Sequence, residues 1–173
     1  MRILFLLLFL AGCSVTPPRS VSKDTIFDLS GRIAVKYGNE GFYGNLRWIH
    51  RMDSDEVWLL SPIGQTVAHI VKNSNRAVLT AQDRKQYQAK DVESLTEKIL
   101  GWRLPLDGLD SWVRGRAASG SPSRAAYEGK TLSELTQDGW DIRFERRFEN
   151  GLPRQLALRR EGIMIKFVID PEP

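Results

Sequence analysis

The side chains that most often perform covalent chemistry are scarce in this chain. Its 173 residues include two histidines, His50 and His69, and one cysteine, Cys13. Neither a Gly-x-Ser-x-Gly segment nor a His-Glu-x-x-His segment occurs, so the sequence indicates no serine nucleophile of that type and no paired-histidine zinc site. A single cysteine forms neither an intrachain disulfide nor a cysteine-based metal cluster. The carboxylates follow no recognisable catalytic motif. We therefore expect no enzymatic activity, no metal site and no cofactor.

Cys13 stands in a context that indicates lipid attachment instead. Met1 and the basic Arg2 are followed by an apolar run over residues 3–10, and two small residues then lead to Cys13. The run is too short to span about 30 Å of hydrocarbon, so a retained transmembrane helix is the weaker interpretation. The pattern resembles a bacterial lipoprotein signal, which implies that residues 1–12 are removed and that Cys13 is lipidated. Ser14 follows it where the enteric sorting pattern has Asp for retention in the inner membrane, which points to the outer membrane.

The segment after the lipidation site indicates a tether. Residues 13–24 are polar, rich in Ser and Pro, and without a periodic apolar face. Residues 25–173 are enough for one ordinary domain, and the 42% apolar content of the chain argues against general disorder. The sequence is therefore divided into a signal peptide (1–12), a lipidated cysteine with its tether (13–24) and one domain (25–173).

The charge of the chain is mildly basic and evenly spread. There are 25 Lys and Arg residues against 21 Asp and Glu, and loss of Arg2 with the signal lowers the formal net charge from +4 to +3. Because no run of like charge appears, nucleic-acid binding has little support, and the small positive net charge favours only a weak attraction to anionic lipid headgroups. We expect outer-membrane lipids rather than nucleic acid as a partner, and a monomeric chain.

The segment from Leu59 to Val67 places a large aliphatic residue inside a turn. Pro62 fixes φ and Gly64 permits positive φ, so a tight reversal with Ile63 near its tip is predicted. Turns normally carry polar residues there. Either Ile63 folds back onto the core or it projects into water, and the segment alone does not decide between these orientations.

The pattern around this turn indicates short antiparallel strands. Residues 31–37 alternate apolar and polar side chains, and a Gly-Asn-Glu-Gly turn leads into residues 42–50, which predicts a hairpin. Residues 26–29 are predicted to form a short helical turn before the first strand. Further strands are predicted over these segments: 55–60, 66–72, 76–81, 84–89, 132–136, 140–148, 156–160 and 163–169. In 140–148 only Arg146 interrupts the apolar face.

Two amphipathic helices are predicted between the two groups of strands. Asp91 is placed to cap the first helix and Gly101 to end it. Asp107 is placed to cap the second helix, and Gly115 to stop it. Residues 116–130 are small and polar, so an exposed excursion is predicted there. Strands, two helices and more strands argue for one curved antiparallel sheet with the helices on its concave face.

The order of several short motifs resembles the LolB family of outer-membrane lipoprotein receptors. Each motif is weak alone, but their order, combined with the lipidation signal, covers nearly the whole mature chain. The motifs are Gly31-Arg32-Ile33-Ala34-Val35, Gly44-Asn45-Leu46-Arg47-Trp48, Leu59-Leu60-Ser61-Pro62-Ile63-Gly64, Leu100-Gly101-Trp102-Arg103-Leu104-Pro105-Leu106 with Trp112, Gly139-Trp140-Asp141-Ile142, Leu152-Pro153 and Ile165-Lys166-Phe167.

The resemblance implies an incomplete β-barrel with a helical lid over an apolar cavity. It also implies that acylated lipoprotein cargo arrives from the periplasmic carrier LolA and is passed to the outer membrane. Each exposed acyl CH₂ costs about 0.8 kcal/mol, so such cargo needs shelter in water. Pro62, Ile63 and Gly64 are then expected to form the membrane-targeting loop. The expected cavity or lid residues are Trp48, Trp58, Trp102, Leu104 and Trp112, with ordinary core packing as the alternative for each.

A non-catalytic scaffolding lipoprotein is the main alternative function. Such a protein would use exposed sheet edges or apolar patches as interfaces and would keep a filled core. Binding of a hydrophobic fluorescent probe, displaced by acylated lipoprotein, distinguishes a receptor from a scaffold.

Overall fold

The computed structural model describes residues 24–171, so the predicted signal peptide, Cys13 and nearly all of the tether lie outside the described residues. Two helices separate six strands from the following five. Within residues 24–171 no helix is both long and apolar enough to cross a membrane. The elements are β1 (Thr25–Tyr37), β2 (Glu40–Arg51), β3 (Ser54–Leu60), β4 (Thr66–Asn73), β5 (Ala77–Ala81), β6 (Gln86–Ala89), α1 (Val92–Leu100), α2 (Leu106–Trp112), β7 (Ser123–Glu128), β8 (Thr131–Gln137), β9 (Trp140–Arg147), β10 (Pro153–Arg160) and β11 (Ile163–Ile169).

All eleven strands of the described chain belong to one antiparallel sheet. Its spatial order is β6-β5-β4-β3-β2-β1-β11-β10-β9-β8-β7, so the first and last strands meet in the middle of the sheet. The sheet is curved and not closed, because β6 and β7 remain as its two edges. The predicted fold class, an incomplete β-barrel with short helices, is confirmed.

The two-residue period of the strands determines which face is buried. In β9, Trp140, Ile142 and Phe144 are buried, whereas the residues between them are exposed. In β1, Ile33 and Val35 are buried in the same way. These side chains form a single core cluster with the apolar residues of α1 and α2. Because burying one large aliphatic or aromatic side chain contributes about 1.5–3 kcal/mol, the inner face of the sheet supplies most of the driving force for the fold.

A β-bulge removes the one charged interruption predicted on β9. Arg146 pairs with Gln155, but the register shifts before Phe144 pairs with Leu156. Arg146 is consequently exposed. Arg147 is half-buried instead and donates hydrogen bonds to the carbonyl oxygens of Leu132 and Gly151.

The structure differs from the sequence prediction at the start of the first strand. Residues 26–29, predicted as a helical turn, belong to β1 and pair with β2, with a register shift between Thr25 and Phe27. The helical prediction is wrong because β2 extends to Arg51 and therefore provides backbone partners this far along β1. The predicted hairpin of β1 and β2 is confirmed.

The first helix begins and ends as predicted, and the second does not. The Asp91 carboxylate accepts a hydrogen bond from the Ser94 backbone N–H at 2.8 Å, and Gly101 ends α1 with a φ of 82°. In contrast, Pro105 occupies the cap position of α2, where no side-chain cap bond forms, and Asp107 lies in the first turn of the helix. The prediction of Asp107 as a cap is wrong because Pro105, with its fixed φ, begins the helix two residues earlier.

The segment 116–130 contains a strand rather than an irregular excursion alone. Residues Ser123–Glu128 form β7, which pairs with β8 at one edge of the sheet. All six β7 residues are exposed, so the predicted exposure is confirmed, and the strand itself was not predicted. A strand with water on both faces needs no apolar alternation, and the period-two signal is therefore missing from its sequence.

Candidate functional site

The interior between the sheet and the helices is built around large apolar side chains. Trp48 comes from β2, Trp112 from α2, and Trp102 and Leu104 from the segment that joins the helices; all four are buried. They belong to one core cluster. Four of the five predicted cavity residues are thus brought together, and the interior is occupied by protein side chains in this conformation.

Trp48 is held by a buried carboxylate on the next strand. Its indole Nε1 donates a hydrogen bond to Asp55 Oδ1 at 2.8 Å. His50 Nδ1 lies 2.7 Å from the same oxygen. Phe27 packs against both rings, with its ring centroid 4.8 Å from that of Trp48 and 4.9 Å from that of His50. Because a buried carboxylate is costly without partners, these contacts explain why Asp55 is tolerated beside the core.

The same carboxylate lies at the start of a polar connection to α2. Lys72 Nζ is 3.7 Å from Asp55 Oδ2 and also pairs with Asp107 on α2. His50 Nε2 is 3.9 Å from Asp110 Oδ2 on α2. Of these contacts the Lys72–Asp107 ion pair is the exposed one, and an exposed ion pair contributes only about 0–1 kcal/mol. The outer side of α2 is therefore connected to the sheet by individually weak contacts.

The inner side of α2 is fixed more firmly through Trp112. The Trp112 indole Nε1 donates to Gln137 Oε1 at 3.0 Å, and Gln137 is itself buried. Gly108, one turn earlier, leaves room for the indole, since a Cβ there would lie 2.4 Å from Trp112 Cζ2. Gln137 also holds the segment after α2, because it accepts from Ala118 N at 2.8 Å and donates to the Ala118 carbonyl at 2.8 Å and to the Ser121 carbonyl at 3.2 Å.

Helix α1 reaches toward both halves of the sheet. It packs against β5 and β6 at one edge. On its other side, Glu93 accepts hydrogen bonds from Trp140 Nε1 on β9 and Arg160 Nη1 on β10, both at 3.3 Å. Thr96 Oγ1 accepts the backbone N–H of Leu104 at 3.0 Å, which ties the joining segment to α1. The helix thus crosses the gap that the sheet leaves open.

The fifth predicted cavity residue, Trp58, lies on the opposite face of the sheet. Val57 and Leu59 on either side of it are buried in the core, and Trp58 is absent from the core cluster. Its ring stacks on His69, with centroids 4.9 Å apart, and Arg47 Cζ lies 5.3 Å from the ring centroid. Cross-strand pairs of Arg47 with Trp58 and of Trp58 with His69 line up these three side chains. Cavity lining by Trp58 is therefore corrected to an outer-face contact.

The β3–β4 turn projects Ile63 away from the domain. Gly64 N donates to the Ser61 carbonyl at 2.9 Å, and Gly64 has a φ of 82°. Ser61 N donates to the Gln65 carbonyl at 2.8 Å, and Gln65 N donates to Ser61 Oγ at 3.1 Å, so the turn is internally fixed. Ile63 is 80% exposed. Of the two orientations that the sequence left open, the structure has the exposed one.

Titratable groups near this end of the sheet show shifts with local causes. Burial first, and then the hydrogen bond and charge of Glu40, raise the pKa of Tyr37 above its usual value near 10. The phenol is therefore neutral at pH 7. Its ring packs close to Gly101, since a Cβ added to that glycine would lie only 3.1 Å from Tyr37 Cε2. In the β5–β6 turn the side-chain hydrogen bond from Lys85 lowers the pKa of Asp83, and the same bond raises the pKa of Lys85. Residues 24–171 contain no group of three His, Cys, Asp or Glu side chains arranged to hold a metal.

Comparison with known proteins gives this arrangement a family. The family described as "Outer membrane lipoprotein LolB" matches residues 25–171. The chain belongs to the LolB family. It is 38% identical to the outer-membrane lipoprotein LolB of Chromobacterium violaceum over 96% of this chain and 94% of that protein. It is 36% identical to the LolB of Cupriavidus metallidurans over 95% of this chain and 91% of that protein. It is 33% identical to the LolB of Nitrosomonas europaea over 83% of this chain and 71% of that protein.

Sequence reasoning missed two residues that organise this LolB-family interior. Asp55 and Gln137 are polar residues inside the core. Each accepts a hydrogen bond from the indole N–H of a buried tryptophan, which needs an acceptor there. Their positions in the alternating pattern of the strands could have identified them. Asp55 lies on the same strand face as Val57 and Leu59, and Gln137 lies on the same face as Leu135. A polar residue on the apolar parity of a strand, in a chain with five tryptophans, indicates a buried hydrogen-bond acceptor.

Proposed function

We propose that this chain is an outer-membrane receptor that accepts acylated lipoproteins from the periplasmic carrier LolA and inserts them into the outer membrane. Membership of the LolB family supports a role as a lipoprotein receptor at that membrane. The observation that carries the proposal is the apolar interior around Trp48, Trp102, Leu104 and Trp112, which two short helices cover. The function requires binding and release, and it requires no covalent chemistry.

Acyl chains enter this interior by replacing helix side chains. Leu106, Leu109 and Trp112 are the large buried side chains of α2, and exposing each costs about 1.5–3 kcal/mol, or roughly 5–9 kcal/mol together. One acyl chain of about 15 CH₂ groups gains roughly 12 kcal/mol on leaving water, at about 0.8 kcal/mol per CH₂. A single chain therefore offsets displacement of α2, which explains how a filled interior can act as a binding site.

Helix α2 is the element that moves. It has only seven residues, and its cap residue, Pro105, provides no side-chain hydrogen bond. A helix this short has marginal stability of its own and depends on its packing. Its outer contacts are the exposed ion pair of Lys72 with Asp107 and the 3.9 Å approach of His50 Nε2 to Asp110 Oδ2, and an exposed ion pair contributes little. Helix α1, in contrast, has a complete cap at each end and contacts both halves of the sheet.

Cargo leaves at the turn that carries Ile63. An aliphatic side chain that is 80% exposed contributes little to folding and is free to enter the lipid boundary. Pro62 and Gly64 fix the turn so that Ile63 stands at its tip. Cys13, lipidated after removal of residues 1–12, holds the monomeric domain of residues 25–173 near the bilayer through the tether of residues 13–24.

The experiment uses purified carrier loaded with an acylated lipoprotein. The chain from Ser14 onward is mixed with this complex, and cargo is followed onto the chain and then into added liposomes. The receptor proposal requires both steps, together with binding of a hydrophobic probe that cargo displaces. A scaffolding lipoprotein with a permanently filled core takes up neither probe nor cargo. In cells, depletion of the chain must leave an outer-membrane lipoprotein in the periplasm on its carrier, and normal delivery would contradict the proposal.

A further inference from the structure

The Ile63 turn and the start of the domain lie at opposite ends of the sheet. Strand β1 begins at Thr25 and runs away from the tether, β2 returns, and β3 runs with β1 into the turn. At the tether end, Met52 N donates to the Asp24 carbonyl at 3.2 Å, so the chain enters the domain beside the β2–β3 turn. The residue that is to contact the bilayer is thus far from the residue that leads to the anchor.

The strand register gives the separation between these two ends. Leu60, which precedes the turn, pairs with Asn45, and Asn45 pairs with Arg32. Eight residue steps along β1 separate Asp24 from Arg32, which is about 26 Å at about 3.3 Å per residue. The turn extends a few ångströms beyond Leu60. Ile63 therefore lies on the order of 30 Å along the sheet from Asp24.

The covalent length of the tether is only slightly greater than this distance. Eleven residue steps join Cys13 to Asp24 and span at most about 36–40 Å when fully extended. We propose that the Ile63 end of the sheet faces the same bilayer that holds Cys13, an orientation that requires about 30 Å of the 36–40 Å that the tether can span. The inference rests on the proposed function for the lipidation of Cys13 and for the Ile63 turn. It adds an orientation of the domain and a minimum tether length.

The opposite orientation has a specific competitor on the domain surface. Met52 is 76% exposed and Ile26 is 46% exposed, and both lie at the tether end. However, Asp53 directly follows Met52, and Asp24 contacts it through the backbone, so two carboxylates lie beside this apolar pair. The turn from Ser61 to Gln65 contains no carboxylate. Glu40 and Asp83 lie in neighbouring turns at the Ile63 end, but neither belongs to the Ile63 turn, whose own residues carry no charge. The Ile63 turn is therefore the better lipid-facing segment, since a carboxylate directly beside the apolar side chain opposes its entry into the bilayer.

The test measures contact with lipid in the full, lipidated chain reconstituted into vesicles. Gln65→Cys places a thiol beside Ile63, and Asn75→Cys places one at the opposite end. Both residues are exposed, and each donates a hydrogen bond through its backbone N–H, which the substitution retains. Each thiol carries an environment-sensitive dye, and the bilayer contains lipids with a nitroxide quencher. One variant deletes residues 15–19, which leaves six steps and about 20–22 Å of reach. Its matched control replaces the same five residues with Gly and Ser.

The natural tether and the Gly-Ser replacement are expected to give severalfold stronger quenching at position 65 than at position 75. The deletion is expected to abolish quenching at position 65 while the protein remains anchored. Quenching at position 65 that survives the deletion overturns the reach requirement. Quenching at position 75 in its place, with the natural tether, overturns the orientation. If position 65 is unquenched and Ile63→Glu transfers cargo normally, the proposed role of the turn has failed, which is a separate result.

Discussion

Gln137 provides the sharpest test of how the helical cover is held. Its side chain is 1% exposed and makes four hydrogen bonds, to Trp112 Nε1, to the Ala118 N–H and carbonyl, and to the Ser121 carbonyl. The substitution Gln137→Ala removes all four at once. The Trp112 indole N–H is then left buried without an acceptor, while Ala118 and Ser121 are half-buried and can bind water instead.

The expected loss of stability follows from these surroundings. An unsatisfied buried donor costs about 1–3 kcal/mol, and each of the three bonds that water replaces costs about 0.5–1 kcal/mol, so Gln137→Ala should lose roughly 2.5–6 kcal/mol. For a domain of this size the midpoint of thermal unfolding falls about 2–4 °C per kcal/mol, which gives a decrease of roughly 5–24 °C. Below that midpoint, binding of a hydrophobic probe should increase, because Trp112 anchors α2 less firmly.

The assay is thermal and urea unfolding of Gln137→Ala beside two comparison variants. Gln88→Ala alters an exposed glutamine on β6 and should change stability by less than about 0.5 kcal/mol. In a Trp112→Phe background, where the indole donor is already gone, Gln137→Ala should cost at least about 1 kcal/mol less than in the natural chain. A Gln137→Ala variant as stable as Gln88→Ala, with unchanged probe binding, would refute the idea that this amide anchors α2.

Three further outcomes follow from the described contacts. Ile63→Glu should leave the unfolding midpoint within about 2 °C, since the side chain is exposed, yet reduce transfer of captured cargo to liposomes about tenfold or more, whereas Ile63→Leu should transfer normally; a large fall in stability would identify a core residue. Asp55→Ala should destabilise the domain by about 2–4 kcal/mol in urea unfolding, because Trp48 Nε1 and His50 lose their common acceptor. Trp58→Ala should retain cargo capture in a pull-down, because its ring lies on the outer face; loss of capture with intact folding would contradict that assignment.

The sequence predicted most of the strands, together with the β1–β2 and β3–β4 turns. Alternation in β9 and the Pro-Ile-Gly spacing each depend on local rules, and the structure agrees with both. The Asp91 cap was legible for the same reason. Where the outcome depended on a distant partner, local patterns failed: residues 26–29 are extended because β2 reaches Arg51.

The interior was harder to predict because both faces of β3 carry apolar side chains. Trp58 and Leu60 share one parity, and Val57 and Leu59 share the other, so composition alone does not identify the inner face. Asp55 resolves the choice only in hindsight, since a carboxylate ordinarily indicates the solvent side. The sequence therefore did not show which tryptophans lie inside the core and which lie outside, because that depends on which residue accepts each indole hydrogen bond.

The meeting of β1 with β11 in the middle of the sheet determines when the domain can become complete during export. Seven residue pairs, from Gly31 with Ile169 to Tyr37 with Ile163, join the two ends of the chain. Until β11 emerges, β1 presents an open edge along these residues, and such edges recruit other chains. Contacts so distant in sequence also form slowly. Loss of β11 would therefore divide the sheet at its centre, so that the nascent chain depends on protection until β11 has crossed the inner membrane.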